Sequence, residues 1–184
     1  MTPWDFAPIR TDRLLLRLMV DDDVDDVLAW MGDEAVARYQ LYHPRSREEV
    51  VAHIDKVKDA RRLENDDDFV EFAIDLDGTV IGCLYSVLKS AENRTAELGW
   101  ALTADFHGRG YASEAARAGL ALAFDTLGLH RVTAELDPRN AASIALCLRL
   151  GMREEAHFVE DLMFKGAWAD TGVYAILDRE YRAL

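Results

Sequence analysis

The stretch His107-Gly108-Arg109-Gly110 has the residue types and setting to bind phosphate. It follows an alternating run, Thr95 to Thr103. It precedes an apolar stripe at helical spacing: Ala112, Ala115, Ala116, Gly119, Leu120, Ala123, Phe124 and Leu127. The first N–H groups of a helix have no partner within it and lie at the positive end of its dipole, which suits a phosphate or diphosphate. Gly108 and Gly110 carry no Cβ, so phosphate oxygens can reach the main chain, and Arg109 adds charge. Alone, such a turn is more often an ordinary strand-to-helix connection. Gly99 bears on the same region. Inside a strand, a glycine marks either a bulge that prises the strand from its neighbour or a helix packed closely over it. In a mixed sheet, a ligand enters where neighbouring strands diverge.

The elements that must position this turn are legible as periodicities. Residues 13–19 read as a first strand, with Leu14, Leu16 and Leu18 alternating. Asp21, Asp22, Asp23, Asp25 and Asp26 surround the start of a short helix whose Val24, Val27, Leu28 and Met31 share a face. After Pro44, Ser46-Arg47-Glu48-Glu49 is a capping box that opens a helix bearing Val50, Ile54 and Val57. Residues 69–76 set Phe72, Ile74 and Leu76 against Glu71, Ala73 and Asp75, the pattern of a half-buried strand. Asp77-Gly78 is a hairpin turn, since both positions tolerate positive φ, and residues 79–88 return from it. Gly128 closes the long helix. Val132, Ala134 and Leu136 form a strand stopped by Pro138, and Asn140 caps a helix that Gly151 ends. Strands near residues 153–164 and 168–177 complete a single α/β domain of mixed sheet.

Composition narrows the function classes. A chain of 184 residues with 50% hydrophobic and 30% charged residues fits one soluble globular domain. Its net charge of −13 repels phosphate backbones, which argues against nucleic acid as a partner. The same charge attracts a cation such as a protonated amine, although its simplest role is solubility. Cys83 and Cys147 lie far apart without a CxxC or a histidine cluster, so two reduced thiols are expected rather than zinc or a disulfide. The first residues lack the basic and apolar regions of an export signal, and no apolar run is long enough for a bilayer. A cytoplasmic protein without a membrane partner is expected.

Three signatures occur in order along the chain: residues 11–17, Thr-Asp-Arg-Leu-Leu-Leu-Arg; residues 106–115, Phe-His-Gly-Arg-Gly-Tyr-Ala-Ser-Glu-Ala; and Asp137-Pro138-Arg139-Asn140 through Ser143, followed by Leu150-Gly151-Met152. Together they resemble the GNAT superfamily of N-acetyltransferases, and within it the RimJ/RimL-like branch of ribosomal-protein N-terminal acetyltransferases. The resemblance implies a GNAT fold with a mixed central sheet of about seven strands and about four helices, splayed between the fourth and fifth strands. It implies acetyl-CoA as cosubstrate, with no metal. His107, Gly108, Arg109, Gly110, Tyr111, Ala112 and Ser113 would hold the diphosphate. Ala101, Leu102 and Thr103 would pair with the pantetheine arm in strand fashion, and Asn140, with Ser143 beside it, would meet the arm near the thiol. His107 departs from the Gln or Arg that the superfamily favours.

Acetyl transfer to an amine needs a neutral nucleophile, a polarised thioester carbonyl and a proton for the leaving thiolate. A main-chain N–H near Leu102 would serve as a one-donor oxyanion hole. The tyrosine that many members use as general acid falls on Cys147 here, and the branch implies Ser143 instead. Cys147 is then a minor alternative or a small core thiol, and Ser143's plainer role is an additional cap. Glu97 and Glu160, the latter beside Asp161, are candidate bases, with water as a further option. The branch's catalytic Glu falls on Leu162. Loops around residues 30–42 and 165–171 would shape the acceptor pocket through Tyr39, Gln40 and Trp168. The acceptor would be a protein N-terminus or a small-molecule amine, and the protein a monomer or homodimer. A non-catalytic acyl-CoA-binding or sensing module competes with this reading, favoured by Cys147 and Leu162 and opposed by Asn140 and Ser143.

Overall fold

The computed structural model describes residues 4–184, so the reading of no export signal falls partly on residues 1–3, outside the described residues. The strands are Ile9–Arg10 (β1), Leu15–Leu18 (β2), Phe69–Leu76 (β3), Thr79–Ser90 (β4), Thr95–Leu102 (β5), Arg131–Leu136 (β6), Arg153–Phe164 (β7) and Ala167–Leu177 (β8). They form one sheet in the order β1-β2-β3-β4-β5-β6-β8-β7. Among the described residues the β5–β6 pair alone is parallel, so the sheet is mixed. Val24–Met31 (α1), Glu34–Ala37 (α2) and Arg47–Val57 (α3) fall between β2 and β3. Tyr111–Ala121 (α4) joins β5 to β6, Ala141–Arg149 (α5) joins β6 to β7, and Asp178–Tyr181 (α6) follows β8.

Among the described residues, eight strands and six α-helices exceed the expected seven and four. The additions are the two-residue β1 and the four-residue α2 and α6, all too short to carry a periodicity. Counting β1 renumbers the splayed pair as β5 and β6. The local devices form as their residues dictate. Ser46 Oγ accepts from the Glu49 N–H at 3.3 Å while Glu49 Oε2 accepts from the Ser46 N–H at 2.8 Å. Asp77 and Gly78 adopt φ of 53° and 90°, the mirror-image turn that suits a hairpin.

Two apolar layers sandwich the sheet. Leu120 of α4 and Phe124 in the turn that follows it cluster with Phe72, Ile74, Leu84 and Leu98, while Val27, Trp30, Val50 and Ile54 of α1 and α3 pack on Ala73, Val80, Cys83 and Ala101. This double cover corrects the half-buried reading of β3: Glu71 and Asp75 are 7% and 8% exposed. Both carboxylates are paired as burial requires, Glu71 with His53 at 3.1 Å and Asp75 with Arg17 at 2.8 Å. The acidic run is likewise structural. Asp23 binds Arg17, Asp26 accepts the Val80 N–H, and Asp21 pairs with Lys58. Cys83 and Cys147 are free, buried thiols.

Candidate functional site

The site begins where β5 and β6 separate. They pair only from Thr95↔Arg131 to Glu97↔Thr133, yet β5 runs on to Leu102 and β6 to Leu136. Gly99 is no bulge: it pairs regularly with Tyr85, and a Cβ there would meet nothing closer than Tyr85 at 3.7 Å. The sheet opens two residues before it. The close-packed glycine is Gly82 on β4, where a Cβ would lie 2.1 Å from the Ala101 carbonyl oxygen.

The open edge carries specific backbone groups. The Thr103 N–H donates to Ile81 O at 2.9 Å, so residue 103 faces β4. Antiparallel alternation then turns the N–H and C=O of Leu102 and Trp100 to the edge that β6 has left. Leu102 alone of the expected trio therefore offers main-chain groups to an incoming arm, because Ala101 is directed at β4 and Thr103 is engaged by Ile81 and Phe106. The Leu102 carbonyl accepts from His107 Nε2 at 3.0 Å, which assigns the proton to that nitrogen. The Leu102 N–H remains on the open edge.

The loop beyond β5 turns on two glycines. Gly108 and Gly110 sit at φ of 73° and 85°, and a Cβ on Gly108 would meet nothing within 4 Å. Gly110 is the N-terminal boundary of α4, and no side chain caps it, so the first N–H groups of the helix keep their positive end free. A cavity of about 560 Å³ lies against this surface. His107, Gly108, Gly110, Tyr111, Ala112 and Ser113 line it, as do Ala101, Leu102, Asn140 and Ser143. Arg109 and Thr103 do not: the Arg109 guanidinium lies 5.7 Å from the Phe106 ring centroid, and Thr103 is held by Ile81 and Phe106. A glycine cradle, an uncapped helix start and an open strand edge along one cavity fit the diphosphate and arm of CoA.

A second cavity, about 660 Å³, meets the first at Tyr39, Gln40, Trp100, Asn140 and Ser143. Five carboxylates line it (Asp67, Glu71, Glu97, Glu135 and Asp137) against Lys89, Arg45 and His53. Glu97 pairs with Lys89 at 3.3 Å. Burial and the nearby Glu135 carboxylate raise the Glu97 pKa, and Lys89 opposes the shift. At the junction, Asn140 Oδ1 accepts the Ser143 N–H at 3.1 Å, which makes Asn140 the cap of α5. The Trp100 indole donates to Ser143 Oγ at 3.3 Å. Trp100, Glu135 and Lys89 were missed by sequence reasoning. In the sequence Trp100 is one more alternating strand residue, and nothing distinguishes Glu135 from a solvated strand acid.

Three expected site residues lie elsewhere. Cys147 is fully buried, lines neither cavity, and has its thiol pushed up to about 12 by burial, so it belongs to the core. Glu160 sits on the exposed outer strand β7 at φ 51°, where its N–H binds Asp170, and it lines neither cavity. Trp168 is 58% exposed and also outside both. Residues 165–171 are no loop: Lys165 and Gly166 make a tight turn and β8 starts at Ala167. The tip does approach the site, since Lys165 Nζ donates to the Ala37 carbonyl at 2.7 Å, beside Tyr39 and Gln40. Among the described residues no cluster suits a metal, and no helix is long and apolar enough to cross a membrane.

Comparison with known proteins gives this geometry a family. The model of the acetyltransferase (GNAT) domain matches residues 13–153. The uncharacterized N-acetyltransferase YnaD of Bacillus subtilis (strain 168) is 32% identical over 173 residues, covering 94% of this chain and 98% of YnaD. A crystal structure of a GNAT-family acetyltransferase from Bacillus anthracis superposes with a TM-score of 0.84 at 29% identity, covering 95% of this chain and all of that one. A spermidine N-acetyltransferase from Vibrio cholerae, solved with CoA and spermine, shares the fold with a TM-score of 0.76 at 22% identity, over 94% of this chain and 99% of that one. The chain thus belongs to the GNAT acetyltransferase family and is an acyl-CoA-dependent N-acetyltransferase.

Proposed function

We propose that the protein transfers an acetyl group from acetyl-CoA directly to a primary amine, the two bound together in the two cavities. The observation that carries this reading is their junction: a glycine-cradled cavity and an acid-lined one share Trp100, Asn140 and Ser143. Acetyl-CoA supplies the activated acetyl group. The loop from His107 to Ser113 holds its diphosphate through main-chain N–H groups, and Asn140 meets the arm with its amide NH₂, its oxygen being engaged as a cap. The Leu102 N–H stabilises the charge that develops on the thioester oxygen. Ser143 Oγ–H gives its proton to the departing thiolate. Glu97, its basicity raised by burial and by Glu135, takes the proton of the amine, directly or through water.

The acceptor is a protein N-terminal α-amine or a small-molecule amine, drawn as a cation by the five carboxylates. We read the chain as one cytoplasmic domain of the RimJ/RimL-like branch, on the strength of its three sequence signatures. The test is thiol release from acetyl-CoA with a panel of N-terminal peptides, polyamines, amino acids and amine antibiotics. Turnover with at least one amine is expected, together with intersecting initial-rate lines. Parallel lines, the mark of a covalent acetyl-enzyme, would overturn direct transfer.

A further inference from the structure

The first signature of the chain reaches the phosphate loop from behind. Thr11 Oγ1 donates to Glu114 Oε1 at 2.6 Å, and the Arg13 main-chain N–H donates to the same oxygen at 2.8 Å. Arg13 Nε and Nη2 each lie 2.7 Å from Glu114 Oε2. Arg13 Nη1 donates to the Arg109 carbonyl at 3.0 Å, and the guanidinium lies 4.4 Å from the centroid of the Tyr111 ring. A Cβ on Gly110 would come within 3.4 Å of Arg13 Nη2. One guanidinium therefore touches residues 109, 110, 111 and 114 while lining neither cavity.

Two physical consequences follow from this placement. A trans peptide is planar, with its C=O and N–H pointing in opposite directions. The Arg109 carbonyl is drawn to Arg13, so the Gly110 N–H in the same peptide plane points away from Arg13, on the side where Gly110 lines the first cavity. The second consequence concerns Glu114. A carboxylate in the first turn of α4 sits near the positive helix end and, left free, would compete there with an incoming anion. Burial would raise its pKa, but the hydrogen bonds from Thr11 and Arg13 outweigh that and hold it low, so it is an ionised carboxylate turned away and neutralised.

We propose that Arg13 is a positioning residue for the diphosphate of acetyl-CoA. The Thr11–Arg13–Glu114 clasp fixes the peptide plane between Arg109 and Gly110 and keeps the Glu114 charge off the helix N-terminus. This rests on the reading that residues 107–113 hold the diphosphate. Lys cannot replace Arg here, because the function needs a planar fork that reaches a carboxylate and a carbonyl together.

The test separates the diphosphate from the rest of the cosubstrate. Affinity for CoA is measured by calorimetry, and kcat/KM is measured with acetyl-CoA and with S-acetylpantetheine, which lacks the diphosphate. Arg13→Gln and Arg13→Lys should both weaken CoA binding by on the order of tenfold. Both should lower kcat/KM for acetyl-CoA at least several-fold more than for S-acetylpantetheine. Thr11→Val, which keeps the guanidinium, should show the same preference at smaller size, and it serves if the Arg13 variants fail to fold. Unchanged CoA affinity, equal losses with both thioesters, or full rescue by Lys would overturn the proposal. Gly110→Asp tests the underlying reading separately. If it leaves CoA affinity intact, the diphosphate lies elsewhere, whatever the Arg13 variants do.

Discussion

Ser143 is held from two directions, and the bonds leave its proton free. Its N–H is bound by Asn140, and its Oγ accepts from Trp100 Nε1, which can only donate. The hydroxyl hydrogen is therefore available to a third partner, which in the proposed reaction is the departing thiolate. Ser143→Ala should lower kcat by roughly 100-fold with acetyl-CoA affinity nearly intact. Cys147→Ala, at a fully buried position, should instead cost about 1 kcal/mol of stability with kcat unchanged. A crippled Cys147→Ala enzyme beside a healthy Ser143→Ala one would reverse the assignment. Glu97 makes a prediction of opposite signs. A base must be ionised, so kcat/KM for the amine should rise with pH through the raised Glu97 pKa. Glu135→Gln removes a neighbouring negative charge, favours the Glu97 carboxylate, and should shift that limb to lower pH. Lys89→Met removes the favourable cation and should shift it to higher pH. Glu97→Gln should abolish the limb. If all three variants keep the wild-type profile, Glu97 is not the base.

Helix α5 joins fold to chemistry through a single residue at its start. Asn140 caps the helix with its side-chain oxygen, which in the proposed reaction leaves its amide nitrogen for the pantetheine arm. Asp caps as well as Asn but brings no NH₂. Asn140→Asp should therefore keep the melting temperature and raise the KM for acetyl-CoA, whereas Asn140→Ala should raise KM and also lose about 1 kcal/mol of stability. An Asn140→Asp enzyme with unchanged KM would make the residue a cap alone. The cap itself was legible in the sequence, as were the hairpin at Asp77-Gly78, the capping box at Ser46 and the glycine-rich entry to α4, because each is written in adjacent residues. What sequence left hidden depends on partners distant in the chain. The face of β3 that carries Glu71 and Asp75 reads as solvated until α1 and α3 cover it. Gly99 reads as a bulge or as a seat for a close helix and is neither; the strand pair opens simply because β6 stops following β5 after Thr133. Trp100 meets Ser143 across 43 positions of sequence, and periodicity cannot supply such a contact.

At the scale of the molecule, charge is the property that acts on both substrates. The chain carries a net −13, and five carboxylates line the second cavity, so the field favours a cationic acceptor entering there. The same net charge opposes acetyl-CoA, whose diphosphate in the proposed reading must reach the loop against it, helped by the helix N-terminus. Lys165 adds a local cation where the hairpin tip meets α2 but does not alter this balance. Salt weakens both effects, since the screening length falls to about 10 Å near 0.1 M. The two substrates should therefore respond in opposite directions as sodium chloride rises from about 0.02 to about 0.2 M. The kcat/KM for a cationic amine should fall, and that for acetyl-CoA should rise or stay level, with kcat little changed. Asp67→Asn combined with Glu135→Gln removes two of the five cavity charges and should flatten the amine's salt slope while leaving that of acetyl-CoA as it was. Steady-state kinetics with each substrate varied in turn measures both slopes. If both substrates lose kcat/KM in parallel, salt is acting on the fold rather than through the field, and the acid-lined cavity is not what attracts the amine.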